Sequence, residues 1–389
     1  MQRPRSLYLH VPFCPQICPY CDFHKLRRHD ELVERYVTRV AWEAAREAER
    51  SPGSLDTLYI GGGTPSHLRD DELDLVLAAL TRAFGGLGAR ETTLEADPNT
   101  FDRARAQRWR DAGITRLSIG LQSTDDAILR FLGRGHDARA GLAAIDAALA
   151  AGMIVSADLI AAVPGQDARS DLERVAATGV QHVSVYTLTI EPFTPFARRG
   201  VDVDDERAAD DYEAADEILS AAGLARYEVS NHARAGYESV HNAVYWRGDP
   251  WLALGPSAAG FEAPTADDPP AVRGVRTRRP PIKAWLAGVE PERTLVDGPT
   301  LALELLMTGL RTRVGVDLER LRARTGIDVE ERYRAQLEAA RTRGLLARDG
   351  VRLHASARGI MVLNAVLRPF FAAEAELEGS VEHAPRPSH

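Results

Sequence analysis

Cys14, Cys18 and Cys21 are the only cysteines in the chain, and they fall within eight residues of one another. Three thiols gathered in LYLHVPFCPQICPYCDF, Leu7–Phe23, point to one shared ligand rather than to scattered core positions. Pro12, Pro15 and Pro19 interrupt the stretch. Proline removes the backbone donors a helix needs, so the spacing predicts an irregular loop that can fold three thiolates round one centre. A disulfide would leave one thiol over. Structural zinc takes four ligands, and His24 or His10 could complete a Cys3His set. An iron–sulfur cluster usually takes four cysteines, so three leave one iron open to an outside ligand. On these residues alone both metals stand.

The elements that must hold this loop follow in regular alternation. Ser6–Val11 reads as a first strand, which puts the cysteines beyond its C-terminal end, where parallel α/β folds keep their chemistry. A helix is expected from Asp30 to Arg50, with Leu32, Tyr36 and Val40 on one face. Strands are expected at Leu55–Ile60, Glu91–Ala96, Arg116–Leu121, Ile154–Ile160 and His182–Thr187. Helical stretches separate them, among them Phe101–Ala112, Ala138–Ala151 and Leu172–Thr178. Six strands alternating with helices predict right-handed crossovers and a parallel sheet. Eight such units close a barrel; six predict an open three-quarter (β/α)6 TIM-like barrel. Each strand delivers polar groups at the same end. They are the cysteines, then Gly61-Gly62-Gly63-Thr64-Pro65, Glu95, Gln122, Asp158 and Thr189. The glycines permit positive φ and close approach of a ligand to the main chain, and no Gly-Lys-Ser/Thr follows to make a phosphate-binding loop.

Bulk properties narrow the classes. At 389 residues the chain fits one large domain and a smaller one. Hydrophobic residues make up 44%, and the formal charge is −8 with a pI near 5.8, which disfavours a polyphosphate partner. No signal-peptide pattern and no stretch of about eighteen apolar residues is present, so no transmembrane segment is expected. Reduced cysteines without an export signal predict a cytoplasmic protein.

Cys-x-x-x-Cys-x-x-Cys, then Gly-Gly-Gly-Thr-Pro, then Glu95 at the next strand end resembles the radical SAM superfamily. YLHVPF (Tyr8–Phe13), RLSIGLQS (Arg116–Ser123), LGRGH (Leu132–His136), DLIAAVPGQ (Asp158–Gln166), YEVSN (Tyr227–Asn231) and HNAVYW (His241–Trp246) resemble the group that holds oxygen-independent coproporphyrinogen III dehydrogenases and HemW-type haem chaperones. The likeness runs from about residue 6 to residue 370. It implies a 4Fe-4S cluster on Cys14, Cys18 and Cys21, with S-adenosyl-L-methionine (SAM) on the fourth iron, and reductive cleavage of SAM where the members are enzymes. It also implies that Gly62, Gly63, Thr64 and Glu95 face the methionine amino group, that Arg134 pairs with the carboxylate, and that Gln122 and Asp158 hold the ribose. Tyr8 and Tyr20 would lie beside cluster and SAM, with Thr189 and Ala259 at the edge of the same pocket. Two stretches depart from the group: Ala161-Ala162 stands where Tyr-Gly is usual, and Gly255–Ala259 only approximates a glycine-rich segment.

Three features favour chaperone over dehydrogenase. Phe23 stands two positions after the last cysteine, where the dehydrogenases resemble Cys-x-Cys. Few residues precede the first strand. His241-Asn242-Ala243-Val244-Tyr245-Trp246 matches the HNxxYW pattern of the chaperones. Histidine is a common axial ligand to haem iron, and Tyr245 and Trp246 offer flat faces to a porphyrin. His241, Asn242, Tyr245 and Trp246 are therefore the expected haem contacts, with His232, His182 and His10 as rival iron ligands.

Residues 1–262 are expected to form the partial barrel and its haem-group extension, and 263–292, rich in Pro, Asp and Arg, a linker or excursion. Residues 293–370 are expected to form a winged-helix-like domain, with helices at Leu301–Thr308, Asp317–Arg324 and Val329–Arg343 before a hairpin turning at Asp349-Gly350. Residues 371–389 read as a disordered tail. The mixed charge of the third helix argues against a nucleic-acid partner. The expected function is a haem chaperone that binds haem, a 4Fe-4S cluster and SAM and passes haem to an acceptor protein, membrane-associated or not, with an electron donor for the cluster. The alternatives are a coproporphyrinogen III dehydrogenase and, more remotely, a DNA-binding regulator with a zinc-stabilised loop.

Overall fold

The computed structural model describes residues 3–382 of the 389-residue chain. Six strands, β1 (Ser6–Val11), β2 (Thr57–Gly62), β3 (Glu91–Ala96), β4 (Arg116–Gln122), β5 (Ile154–Ala161) and β6 (His182–Thr187), run parallel in chain order. Three short strands extend this sheet: β7 (Ala225–Arg226), β8 (Asn231–Ala233) and β9 (Leu252–Leu254). The order is β9-β1-β2-β3-β4-β5-β6-β8-β7, with β9 parallel to β1 and β8 and β7 antiparallel. The edge strands β9 and β7 do not pair with each other, so the sheet stays open.

Strand alternation decides which residues meet the helices and which meet a ligand. Leu7, Leu9, Val11, Leu58, Ile60, Leu94, Leu117, Ile119, Val155, Ala157 and Val183 join the main apolar core with helix residues such as Val33, Tyr36, Val76 and Ile145. The alternate positions are polar: Tyr8 and His10 on β1, Tyr59 on β2, Glu91, Thr93 and Glu95 on β3, Arg116 and Ser118 on β4, Ser156 and Asp158 on β5, His182 and Ser184 on β6. One face is thus sealed by helices and the other carries the chemistry. Aspartate side chains cap several helices by accepting N–H bonds: Asp102 for Arg103–Asp111, Asp125 for Asp126–Phe131, Asp137 for Ala138–Ala150 and Asp167 for Ala168–Ala176.

A second core gathers Leu301, Leu305, Leu306, Leu321, Tyr333, Leu337, Leu353 and Phe370. It joins helices Gly298–Gly309, Leu318–Thr325, Val329–Arg332 and Arg334–Thr342 to a small antiparallel sheet of Val316–Asp317, Arg352–Ala355 and Leu346–Asp349.

Several expectations change. The stretch 263–292 is not a bare linker. Val272–Arg278 is the central strand between Ala259–Glu262 and Glu292–Asp297, and Ile282–Leu286 is a helix. Its Pro and Arg content hid a strand whose Val272 and Val275 are buried. The expected helix Val329–Arg343 is broken at Tyr333, whose φ of −117° leaves helical space while its ring is fully buried. The expected disordered tail starts as helix: Leu363–Glu382 continues past Phe371, and Glu374 accepts bonds from Arg332 Nε (2.8 Å) and the Tyr333 hydroxyl (2.7 Å). The remainder of that tail, 383–389, lies outside the described residues. The second strand starts two residues later than expected and takes Gly61 and Gly62 into the sheet. No helix among the described residues is long and apolar enough to cross a membrane.

Candidate functional site: a cysteine loop on a glycine shelf

The cysteine loop leaves β1 and is tied back at both ends. Phe13–Cys14 pairs in parallel with Leu26–Arg27, and Lys25 Nζ donates to the Phe23 carbonyl at 3.1 Å. The turn after β2 lies directly against it: Gly63 N–H donates to the Val11 carbonyl (2.8 Å) and Thr64 N–H to the Phe13 carbonyl (2.9 Å).

Each glycine of this turn answers to a specific neighbour. A Cβ on Gly61 would lie 2.8 Å from Glu95 Oε1, and one on Gly62, whose φ is +114°, would lie 2.4 Å from the His10 ring. On Gly63 a Cβ would come within 2.8 Å of the Pro12 backbone and 3.0 Å of Cys14 Sγ. The three glycines therefore exist so that shelf, histidine and thiol can share one space. His10 is fixed beneath the shelf, with Nδ1 on the Tyr8 hydroxyl (3.0 Å) and Nε2 on the His24 carbonyl (2.8 Å).

Glu95 closes the shelf from β3. Its Oε2 accepts the Gly62 N–H at 2.8 Å and its Oε1 the Tyr59 hydroxyl at 2.9 Å. Burial pushes its carboxyl up to about 7, against the pull of those two donors. Farther along the same face, Asp158 accepts from the hydroxyls of Ser118 (2.6 Å) and Ser156 (3.1 Å), and burial again raises its carboxyl. Gln122 ends β4 in left-handed backbone at φ 68°, after a shift of register between Ile119 and Gln122. Side-chain-free Gly120 gives it room: a Cβ there would lie 2.9 Å from Gln122 Nε2 and 3.4 Å from Arg134 Nη2.

Arg134 approaches the loop from the far side. Its Nη1 lies 3.5 Å from Cys18 Sγ, and its Nη2 donates to Asp97 (2.6 Å) and to the Gly120 carbonyl (3.1 Å). Burial works against its charge, but Tyr20, Cys18 and Asp97 hold it protonated. Tyr20 packs on Phe196 at 6.2 Å between centroids, and Phe196 N–H donates to the Pro19 carbonyl at 3.1 Å. Gly63 and Thr64 thus contact the strand that carries Cys14, Arg134 and Tyr20 lie at Cys18, and Glu95 joins through Gly62, while Tyr8, Gln122 and Asp158 lie on the same face of the sheet. Thr189 lies exposed beyond β6, its hydroxyl 3.4 Å from the Thr187 carbonyl, and Ala259 begins an outer strand, its carbonyl accepting Trp251 Nε1 at 2.8 Å.

Whether these residues suit the implied cofactors is decided by the donor set. The three cysteines are free; Cys14 is buried and its thiol is pushed up to about 11 by that burial, with Thr64 opposing and Cys21 and Cys18 adding to the rise. A ligand that takes Cys14 must therefore displace a proton, as thiophilic metal centres do. Among the described residues no three His, Cys, Asp or Glu side chains stand round a common point. His10 is spent on Tyr8 and His24 and is no fourth zinc ligand. Arg134 Nε is buried without a partner, which leaves a donor for an anionic group next to Cys18. Three thiols, a glycine cradle, a carboxyl at the shelf edge and the free Nε of Arg134 fit a cluster with one open iron and an amino-acid ligand on it.

The HNxxYW stretch lies at the other end of the strands. His241 is fully buried against Thr57, the first residue of β2. Its Nδ1 is 2.8 Å from Thr57 Oγ1 and its Nε2 2.7 Å from the Tyr245 hydroxyl. Burial lowers its ring to about 3, so it is neutral. Asn242 opens the helix Asn242–Trp246, its N–H donating to Ser239 Oγ (3.2 Å), Tyr245 packs edge-on to Trp251 at 4.8 Å, and Trp246 Nε1 is buried without a partner. Of the rivals, His182 bridges Ser156 Oγ (2.7 Å) and the Tyr227 hydroxyl (2.8 Å). His232 is buried, with neither ring nitrogen hydrogen-bonded.

Sequence reasoning missed the residues that hold this end. Glu91 and Arg116 form a buried ion pair (2.9 Å); Glu91 also accepts from His241 N–H (2.9 Å), and Arg116 donates to the Tyr237 carbonyl (2.8 Å). Charged residues at the first positions of two buried strands were the available signal. Tyr59 was likewise missed, although its place two residues before the glycines marks the face it shares with Glu95.

Comparison with known proteins agrees with this geometry. Residues 8–177 match the model of the radical SAM superfamily and residues 296–362 that of the HemN C-terminal domain. The chain is 33% identical over 381 residues to the Escherichia coli protein named heme chaperone HemW, covering 95% of this chain and 98% of that one. It is 35% identical over 390 residues to the Mycobacterium tuberculosis protein of the same name, with 94% of each covered. Among solved structures, Escherichia coli coproporphyrinogen III oxidase, described as a radical SAM enzyme, superposes with a TM-score of 0.79 at 21% identity, over 95% of this chain and 90% of that one. The sheet, the shelf and these full-length likenesses together place the chain in the radical SAM superfamily, closely related to the HemW/HemN family of haem chaperones and oxidases.

Proposed function

We propose that this protein is a haem chaperone: it binds haem, a 4Fe-4S cluster on Cys14, Cys18 and Cys21 and SAM on the shelf, and hands haem to an acceptor protein. The observation that carries this reading is the likeness along nearly the whole chain to proteins named heme chaperone HemW. Phe23 supports it. It is 65% exposed beside the third cysteine, where the dehydrogenase pattern has a thiol.

When bound, the cluster supplies one-electron chemistry toward SAM. The chain itself would orient SAM. Gly62, Gly63, Thr64 and Glu95 would face the amino group, Arg134 Nε would take the carboxylate, and Gln122 with Asp158 would hold the ribose hydroxyls. Tyr20 and the adjacent Phe196 keep water from that side of the loop. For haem, the candidates are His241, Asn242, Tyr245 and Trp246. With Thr57 Oγ1 donating to Ser6 (2.9 Å), His241 Nδ1 is the donor to Thr57, and Nε2 holds the lone pair that accepts the Tyr245 proton. Nε2, freed of the Tyr245 hydroxyl, would be the nitrogen offered to haem iron, with Nδ1–H on Thr57 setting the tautomer.

We further propose that the sheet curls into a three-quarter barrel and that residues from about 293 form a winged-helix-like partner surface rather than a DNA reader. Glu330 pairs with Arg341 (3.2 Å) and Arg348 (2.5 Å), which removes those cations from phosphate binding. The second reading, a coproporphyrinogen III dehydrogenase, is supported by the shared fold. Anaerobic reconstitution separates the two. The chaperone takes up haem stoichiometrically and leaves coproporphyrinogen III with SAM and reductant unchanged; the dehydrogenase converts it. Stoichiometric zinc without iron or sulfide would overturn both.

A further inference from the structure

The candidate haem segment and the SAM shelf are joined by an unbroken run of contacts through the polar face of the sheet. It starts at the Gly62 amide, held by Glu95 Oε2 at 2.8 Å, and passes through Glu95 Oε1 to the Tyr59 hydroxyl at 2.9 Å. The Tyr59 ring then lies on the His241 ring, 5.3 Å between centroids and 34° between planes. His241 in turn is pinned at both nitrogens, by Thr57 and by the Tyr245 hydroxyl, and its main chain is pinned by Glu91. We propose that His241 and Tyr245 are positioning residues for the SAM site: they brace Tyr59, which aims Glu95, which fixes the shelf.

The inference rests on the reading of Glu95 as a SAM contact. Its physical basis is that two rings pack on Tyr59: His241 at 5.3 Å between centroids and Tyr8 at 6.1 Å. A neutral, doubly bonded imidazole is a rigid wall, and rotating it costs both hydrogen bonds. Were it only a core filler, an apolar side chain of like volume would serve, and the Tyr245 hydroxyl would have no task there.

The brace has a signature beyond stability. The titratable groups acting on or facing Glu95 are Tyr59 from β2, Tyr8 from β1, Asp158 from β5, Tyr186 from β6 and Tyr245 from the helix Asn242–Trp246. None is a cation. The Tyr59 hydroxyl, with the Gly62 amide, favours the carboxylate against burial. Weakening Tyr59's aim must therefore raise the pH at which Glu95 ionises.

The test uses the full chain with Tyr245→Phe, Tyr59→Phe and, as a harsher change, His241→Leu. Hydrogen exchange of the peptide containing Gly61–Thr64 is followed without ligand, and SAM binding is measured by equilibrium dialysis across pH 6–9 on the anaerobically reconstituted protein. Expected are exchange faster by roughly fivefold for Tyr245→Phe, the loss of about one neutral hydrogen bond, and a pH profile of SAM binding moved upward in Tyr59→Phe and, less, in Tyr245→Phe. Unchanged exchange and an unmoved profile in both phenylalanine variants would overturn the proposal. If the wild type binds no SAM at any pH, the reading of Glu95 fails, and the exchange rates alone then support or overturn the brace.

Discussion

The two ends of the parallel strands are built on opposite plans. At the C-terminal end of β1–β3 the structure is made of backbone approach: three glycines, amide-to-carbonyl bonds and a loop of free thiols, with Arg134 Nε left unspent. At the N-terminal end it is made of closed side-chain pairs: Glu91 with Arg116, His241 with Thr57 and Tyr245, His182 with Ser156 and Tyr227. One end turns backbone and free thiols toward a shared space, and the other is held by side chain on side chain.

This contrast can be broken at either end. The largest effect is expected at the cysteines. Replacing Cys14, Cys18 or Cys21 by Ala should abolish cluster assembly, read as iron, sulfide and the visible absorption of the reconstituted protein, and leave thermal unfolding of the apo chain nearly unchanged. Next comes the closed end. Arg116→Leu leaves the Glu91 carboxylate buried without its cation, which should cost about 3–5 kcal/mol in urea unfolding. Substantially smaller loss would mean that the pair does not hold that end shut. Gly62→Ala should cost on the order of 2 kcal/mol, because φ of +114° and the His10 ring both oppose a Cβ, and SAM binding should fall with it.

The smallest effect is a pH dependence. Burial pushes both Glu95 and Glu228 up to about 7 from an ordinary value of 4.5. Between those values these two carboxyls keep protons that the unfolded chain has lost, so their contribution to stability falls as pH rises from about 4.5 through 7, while the lowered rings of His182, His232 and His241 contribute in the opposite sense. The wild type should therefore lose stability relative to Glu228→Gln as pH rises through this window. A difference between the two that does not change with pH would show that Glu228 is not held neutral.

Much of the cysteine end was legible in the chain because its chemistry needs particular residue types at fixed spacing. Cys14, Cys18, Cys21, Gly62, Gly63, Glu95, Gln122 and Asp158 follow from composition at strand ends. The closed end was less legible. Glu91 and Arg116 are 25 residues apart in sequence, and nothing local says that they meet or that residues 237–241 fold onto them. Strand Val272–Arg278 was hidden for a related reason. Its arginines occupy outward positions and only Val272, Gly274, Val275 and Thr277 face inward, too few for a pattern to stand out among prolines. Tyr59, whose hydroxyl meets Glu95 and whose ring meets His241, carries no motif of its own.

The most direct test of the central claim is to offer the anaerobically reconstituted protein haem in one vessel, and coproporphyrinogen III with SAM and a reductant in another. The account predicts a stoichiometric haem complex, competent to deliver haem to an acceptor, and unchanged coproporphyrinogen. Formation of protoporphyrinogen, with no retained haem, would contradict it.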